Sequence, residues 1–197
     1  MKGKLITLYG INNIGKSTQA GLLVKKLNEV GHKAVHIKYP IYDLAPTGPL
    51  LNDILRGGKQ NISEEELQTI FVQNRIDFEP TLIDTLESGT TVVAEDYIGT
   101  GIAWGAAKGA DLEWLEAINA PLLKEDLVIY MYGNRFTEAQ ESDHIHESND
   151  DLMKKCAEVY ELLAKKYNWK GVKVEGGIDD VFKLIWQITT GFLHIDG

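Results

Sequence analysis

Gly10-Ile11-Asn12-Asn13-Ile14-Gly15-Lys16-Ser17 sits between an apolar run, Lys4 to Tyr9, and a segment from Lys16 to Val30 that spaces Leu22, Leu23, Leu27 and Val30 as a helix would. A G-x-x-x-x-G-K-[ST] stretch with a strand before it and a helix after it constrains this chain more than any other feature. Its glycines let the backbone curl until successive N–H groups converge on one anion. The following helix adds its positive dipole end and unpaired amides. Gly10, Asn12, Asn13, Ile14, Gly15, Lys16, Ser17 and Thr18 are therefore the expected cradle for a nucleoside triphosphate. Lys16 reaches the β- and γ-phosphates in that reading, and the Ser17 hydroxyl binds Mg²⁺. An accidental glycine-rich turn is the alternative, and the flanking strand and helix speak against it.

The remaining pattern is strand then helix, repeated. Lys33–Lys38, Thr90–Ala94, Asp126–Met131 and Val172–Val174 read as further strands. Ser63 with Glu66 forms a capping box that opens a helix to about Ser88, which Pro80 should kink. Asp151–Tyr167 and Asp179–Phe192 read as later helices. Such alternation predicts an α/β fold of the P-loop NTPase kind, a central parallel sheet of about five strands flanked by helices. No repeat or linker divides the 197 residues, so one domain is expected. The polar stretch 133–150 reads as a short lid.

Composition narrows the function. The chain is 44% hydrophobic and 25% charged, which is globular, and its net charge of −9 disfavours general binding to nucleic-acid polymers or anionic membranes. No stretch approaches the ~20 apolar residues of a spanning helix, and the first residues have no apolar export core. The cytoplasm is the expected compartment. Cys156 is the one cysteine, so no internal disulfide forms; it reads as a half-buried filler in a helix. The Asn-Lys-x-Asp guanine reader of GTPases is missing, and the length suits a small kinase.

Laid out in order, the later segments resemble the thymidylate kinases over most of the chain. Lys38-Tyr39-Pro40 falls where that family has an aromatic-Pro pair after its second strand. Phe71-Val72-Gln73-Asn74-Arg75 is similar to its F-x-x-x-R, Glu95-Asp96-Tyr97 to its Asp-Arg-Tyr, and Thr100 to Gly109 to its S-G-V-A-[FY]-x-G-A-K. Asp143 stands seventeen residues before Tyr160-Glu161-Leu162-Leu163-Ala164, as the family's lid start precedes its Y-x-x-L-A.

The resemblance implies transfer of the ATP γ-phosphoryl to a deoxynucleoside monophosphate, most simply dTMP, with Mg²⁺ as cofactor and a homodimer as the assembly. It implies that Phe71 stacks on the acceptor base, that Arg75 hydrogen-bonds it, and that Trp104 lies under the sugar. Tyr39, Asn74 and Tyr97 join them as expected acceptor contacts. Read alone, Phe71 and Trp104 could equally be core. Glu95 and Asp96 are expected to ligate Mg²⁺ partly through water and to orient the acceptor, against the alternative of a solvated acidic turn.

The chain departs from the family in its arginines. Asn12 replaces an acid and Asn13 replaces Arg or Gly, while Ile41-Tyr42, Asp96 and His144 stand where arginines are expected. Only Arg56, Arg75 and Arg135 are present, and an arginine finger is worth ~10³–10⁵ in rate. Three readings follow. Arg135, with Lys16, Mg²⁺ and protonated His144 or His146, carries the transition state; or Arg56, Lys38 or backbone amides hold the acceptor phosphate; or the protein binds nucleotide without catalysing transfer.

Overall fold

The computed structural model describes residues 2–57, 62–133 and 150–195. Along these run β1 (Leu5–Tyr9), α1 (Lys16–Glu29), β2 (Ala34–Lys38), α2 (Thr47–Gly57), α3 (Glu64–Glu87), β3 (Thr91–Glu95), α4 (Ile98–Ala107), α5 (Leu112–Asn119), β4 (Leu127–Gly133), α6 (Asp150–Lys166), β5 (Lys170–Val174) and α7 (Ile178–Leu193). The strands form one parallel sheet in the order β2-β3-β1-β4-β5, the α/β architecture expected. Strands β4 and β5 each extend two residues beyond the sequence expectation, to Gly133 and back to Lys170.

Strand β1 is buried at every residue because helices cover both faces of the sheet. Its alternating side chains feed two cores. Ile6 and Leu8 pack with Leu23 and Leu27 of α1 and with Val181 and Ile185 of α7. Leu5 and Tyr9 pack on the other face with Leu82 and Leu86 of α3, Ile98 and Ile102 of α4, and Tyr160 of α6. Cys156 lies fully buried in this second core, deeper than expected, and burial pushes its thiol up to about 12.

The capping box at α3 is formed: Ser63 Oγ accepts from the Glu66 amide at 3.1 Å, and the Ser63 amide donates to Glu66 Oε2 at 2.9 Å. The helix then runs through Pro80 to Glu87. Helices α2, α4 and α5 were not expected from periodicity. For α4 the cause is composition: Ile98–Ala107 contains Gly99, Gly101 and Gly105, and each glycine is about 1 kcal/mol worse than alanine in a helix. Packing overrides that penalty. A Cβ on Gly99 would stand 2.7 Å from the Tyr9 ring, so α4 approaches the sheet only because that position is bare.

Candidate active site

The parallel arrangement points the carboxyl ends of β1, β2 and β3 at one rim, where ligands of open α/β sheets bind. Register completes the placement: Lys38, last in β2, is level with Glu95, last in β3, and Glu95 is level with Leu8, just before the glycine-rich loop. A cavity of about 570 Å³ opens at this rim. That is room for small-molecule ligands.

At one end the wall is Asn12, Asn13, Ile14, Gly15, Lys16, Ser17 and Thr18. Gly15 caps α1 at φ +94°, a left-handed conformation that favours glycine, and contributes no side-chain capping bond. The first turn of α1 also carries no acid. Its orphan amides and dipole are therefore available to an anion. Gly10 lies outside the wall and serves through its carbonyl. Lys16 is buried, and its ammonium donates to Gly10 O at 2.9 Å and Ile11 O at 3.1 Å, with Asp96 Oδ1 3.5 Å away.

Ser17 Oγ donates to Glu95 Oε1 at 2.7 Å. Lys38 Nζ lies 3.1 Å from the same carboxylate oxygen, and His36 Nε2 lies 3.3 Å from the other. Burial alone would raise the Glu95 pKa. His36, Lys38, Ser17 and Lys16 outweigh it and hold the group ionised at about 2. Asp96 behaves oppositely: burial raises it, Lys16 pulls it down, and the Glu95 charge pushes it up again, with a net upward shift. It accepts from Thr100 Oγ1 at 3.0 Å, and Thr100 accepts from Tyr160 OH at 2.9 Å. Among the described residues no three His, Cys, Asp or Glu side chains could hold a metal by themselves. The hydrogen-bonded Ser17 hydroxyl and Glu95 carboxylate are hard oxygen donors, so the set fits Mg²⁺ shared with substrate phosphates rather than a resident ion.

The other end is built on α3 and α4. Phe71 and Arg75 are one turn apart, with the guanidinium carbon 5.9 Å from the Phe71 ring centroid. Arg75 is nine-tenths buried or more, and burial lowers its pKa. Its Nη1 donates to Asn119 Oδ1 at 3.2 Å. Trp104, Gly101, Gln68 and Lys108 complete this end. Tyr39, Pro40, Tyr42 and Arg56 also line the cavity, the guanidinium of Arg56 lying 5.9 Å from the Tyr42 ring centroid.

Two expected acceptor contacts stand behind the wall. Asn74 is fully buried; it accepts from the Ile41 amide at 2.8 Å and donates to Ile41 O and Thr47 Oγ1, both at 3.0 Å. Its amide is consumed in tying α3 to the segment after β2. Tyr97 is also fully buried, 4.9 Å from the Tyr39 ring in the core. Arg135, Asp143, His144 and His146 lie outside the described residues. Sequence reading missed Gln68, although it precedes Phe71 by three and Arg75 by seven, which is one helix face. It also missed His36, whose only signal is alternation along a half-exposed strand.

A glycine-rich loop and helix N-terminus at the carboxyl edge of a parallel sheet, opening on the same cavity as Phe71 and Arg75, define the class as a P-loop nucleotide-binding fold. The comparisons with known proteins specify which. Residues 8–185 match the family description "Thymidylate kinase". The chain is 31% identical over 194 residues to a putative thymidylate kinase of Invertebrate iridescent virus 6, covering 96% of this chain and 87% of that one. It is 29% identical over 185 residues to the thymidylate kinase of Homo sapiens, covering 91% and 86%. The structure of thymidylate kinase from Candida albicans superposes with a TM-score of 0.83 at 26% identity, over 100% of this chain and 96% of that one. The chain belongs to the thymidylate kinase family.

Proposed function

We infer that the protein is an ATP-dependent nucleoside monophosphate kinase that converts dTMP to dTDP with a divalent metal ion, Mg²⁺. The observation that carries this is the continuity of the cavity: the phosphate cradle and the Phe71–Arg75 clamp share one space of about 570 Å³. Direct transfer needs the two substrates in contact, and a single cavity lined by both sets of residues supports that.

In the reaction an oxygen of the acceptor phosphate bonds to the γ-phosphorus while the bond from that phosphorus to the β,γ-bridging oxygen breaks, releasing ADP. The cradle amides and Lys16 take the β- and γ-phosphates, with the Lys16 ammonium held at the loop by the Gly10 and Ile11 carbonyls. Ser17 and Glu95 would hold the Mg²⁺, which supplies positive charge against the phosphate oxygens. Phe71, Arg75 and Trp104 hold the acceptor nucleoside, with Tyr39 beside them. Asp96, neutralised in part by Lys16, orients the acceptor end. Arg56, which also lines the cavity, is assigned to the acceptor phosphate. Arg135, which lies outside the described residues, is assigned to the transition state.

This proposal treats the chain as one catalytic domain, working in the cytoplasm as a homodimer. Family membership supports these points; among the described residues no helix is long and apolar enough to cross a membrane. Light scattering reads the assembly directly. For the activity, coupled ADP release across the nucleoside monophosphates should show acceptor-dependent turnover with dTMP among the best acceptors. Tight calorimetric binding of ATP and dTMP without turnover would instead leave a silent nucleotide-binding protein.

A further inference from the structure

Gln68 is one of the most deeply buried polar side chains on the cavity wall, 1% exposed, and it is half satisfied. Its Nε2 donates to Glu64 Oε1 at 2.8 Å. Its Oε1 is buried without a hydrogen-bond partner. Buried polar groups are nearly always paired, so an orphan acceptor on a binding cavity is a position that a ligand donor can fill.

The amide cannot simply turn over. An ionised Glu64 only accepts, so it demands the NH₂ side of Gln68 and rejects the carbonyl side. Glu64 is itself held by Lys108, whose Nζ lies 3.1 Å from its Oε2. The Lys108–Glu64 pair therefore fixes which way the Gln68 carbonyl points. Its direction is shared with Arg75. The position where a Cβ on Gly101 would stand is 2.8 Å from Arg75 Nη2 and 3.1 Å from Gln68 Oε1. Gly101 carries no side chain there, so the guanidinium and the Gln68 carbonyl converge on the same stretch of α4 in the cavity wall.

We propose that Gln68 reads the acceptor base: its Oε1 accepts a ring N–H while Arg75 donates to the neighbouring exocyclic oxygen. This rests on the acceptor assignment made above and deepens it. The 4-oxo pyrimidines present that pair, O4 accepting and N3–H donating. Cytosine presents the reverse, an amino donor next to a bare ring nitrogen, and would set donor against donor and acceptor against acceptor. The site thus selects thymine or uracil over cytosine by polarity, where shape discriminates poorly. A site built to hydrogen-bond one pattern rejects its mismatch far better than an apolar pocket rejects an isostere.

The test compares wild type with Gln68→Ala, using kcat/KM for dTMP, for its N3-methylated analogue and for dCMP, with ATP affinity by calorimetry as control. Wild type should favour dTMP over the N3-methyl analogue by ~10² or more, the loss expected when a site's buried polar group is left unpaired. Gln68→Ala should lower kcat/KM for dTMP about 10- to 100-fold while leaving both poor substrates and ATP affinity nearly unchanged, so the preference collapses. An equal loss on dTMP and the N3-methyl analogue, or no loss on either, overturns the proposal and makes Gln68 a packing residue. Glu64→Gln gives an independent reading: a neutral amide partner tolerates either orientation of Gln68, so the dCMP-to-dTMP ratio should rise several-fold, and an unchanged ratio overturns the orienting role. Wild type with no dTMP-dependent turnover would defeat the underlying kinase assignment. Normal dTMP turnover with unmoved ratios would defeat only the role of Gln68.

Discussion

The two ends of the cavity are made in different ways. The donor end is one contiguous loop with the first turn of α1, its lysine held by the loop's own carbonyls. The proposed acceptor end gathers Phe71 and Arg75 from α3 and Gly101 and Trp104 from α4. A phosphate needs only converging N–H groups and a charge, which a short loop can supply. A base needs a stacking face, a donor and an acceptor at set positions, and only packed helices hold these together. Damage should therefore be local and chemical at the donor end, and transmitted through packing at the acceptor end.

Lys16→Ala gives the largest effect. The charge assigned to the β- and γ-phosphates is lost, and kcat should fall by about 10²- to 10³-fold, the scale of removing a preorganised electrostatic contact. Binding of dTMP should survive, as calorimetry would report; a parallel collapse of dTMP affinity would break the separation of the two ends. Gly101→Ala tests the acceptor end. Its Cβ would meet the Arg75 guanidinium at 2.8 Å, so kcat/KM for dTMP should fall about 10- to 100-fold, the rate equivalent of overpacking by ~1–3 kcal/mol, with ATP affinity intact.

A pH series sharpens the donor side. The folded pKa of Glu95, about 2, lies below its ordinary 4.5, so the stability it contributes is complete above about pH 4.5 and fades as pH falls toward 2. Urea midpoints should show a decline across that window that is shallower in Glu95→Gln. Equal slopes in the two proteins would mean that Ser17, Lys38 and His36 do not hold the carboxylate. The smallest expected change is Ser63→Ala, remote from the chemistry. Losing the cap should lower stability by ~1 kcal/mol, a few degrees in melting temperature, with kcat unaltered.

Legibility in the sequence followed the same division. The cradle, the Ser63–Glu66 capping box and the buried strands were readable because each depends on neighbours within a few residues. Helix α4 was not, since three glycines argue against a helix until the Tyr9 ring and Arg75 are found pressing on them. Asn74 and Arg75 are adjacent, yet their fates differ. Helical rotation turns Arg75 to the cavity and Asn74 to Ile41 and Thr47. No local pattern announces which of two adjacent polar residues will be consumed by the scaffold.

By itself, then, the chain's order of residues determined a parallel α/β sheet, a phosphate loop on its edge and a stacking residue one turn from a guanidinium. Those are short-range matters, settled by spacing and by what each backbone conformation tolerates. Tertiary structure alone decided that Lys38 and His36 would share the Glu95 carboxylate, because register across β2 and β3 sets Lys38 level with Glu95 and His36 two residues back along the same strand. It alone decided that the Gln68 carbonyl would stand unpaired beside Arg75, because Glu64 and Lys108 claimed the other side of that amide.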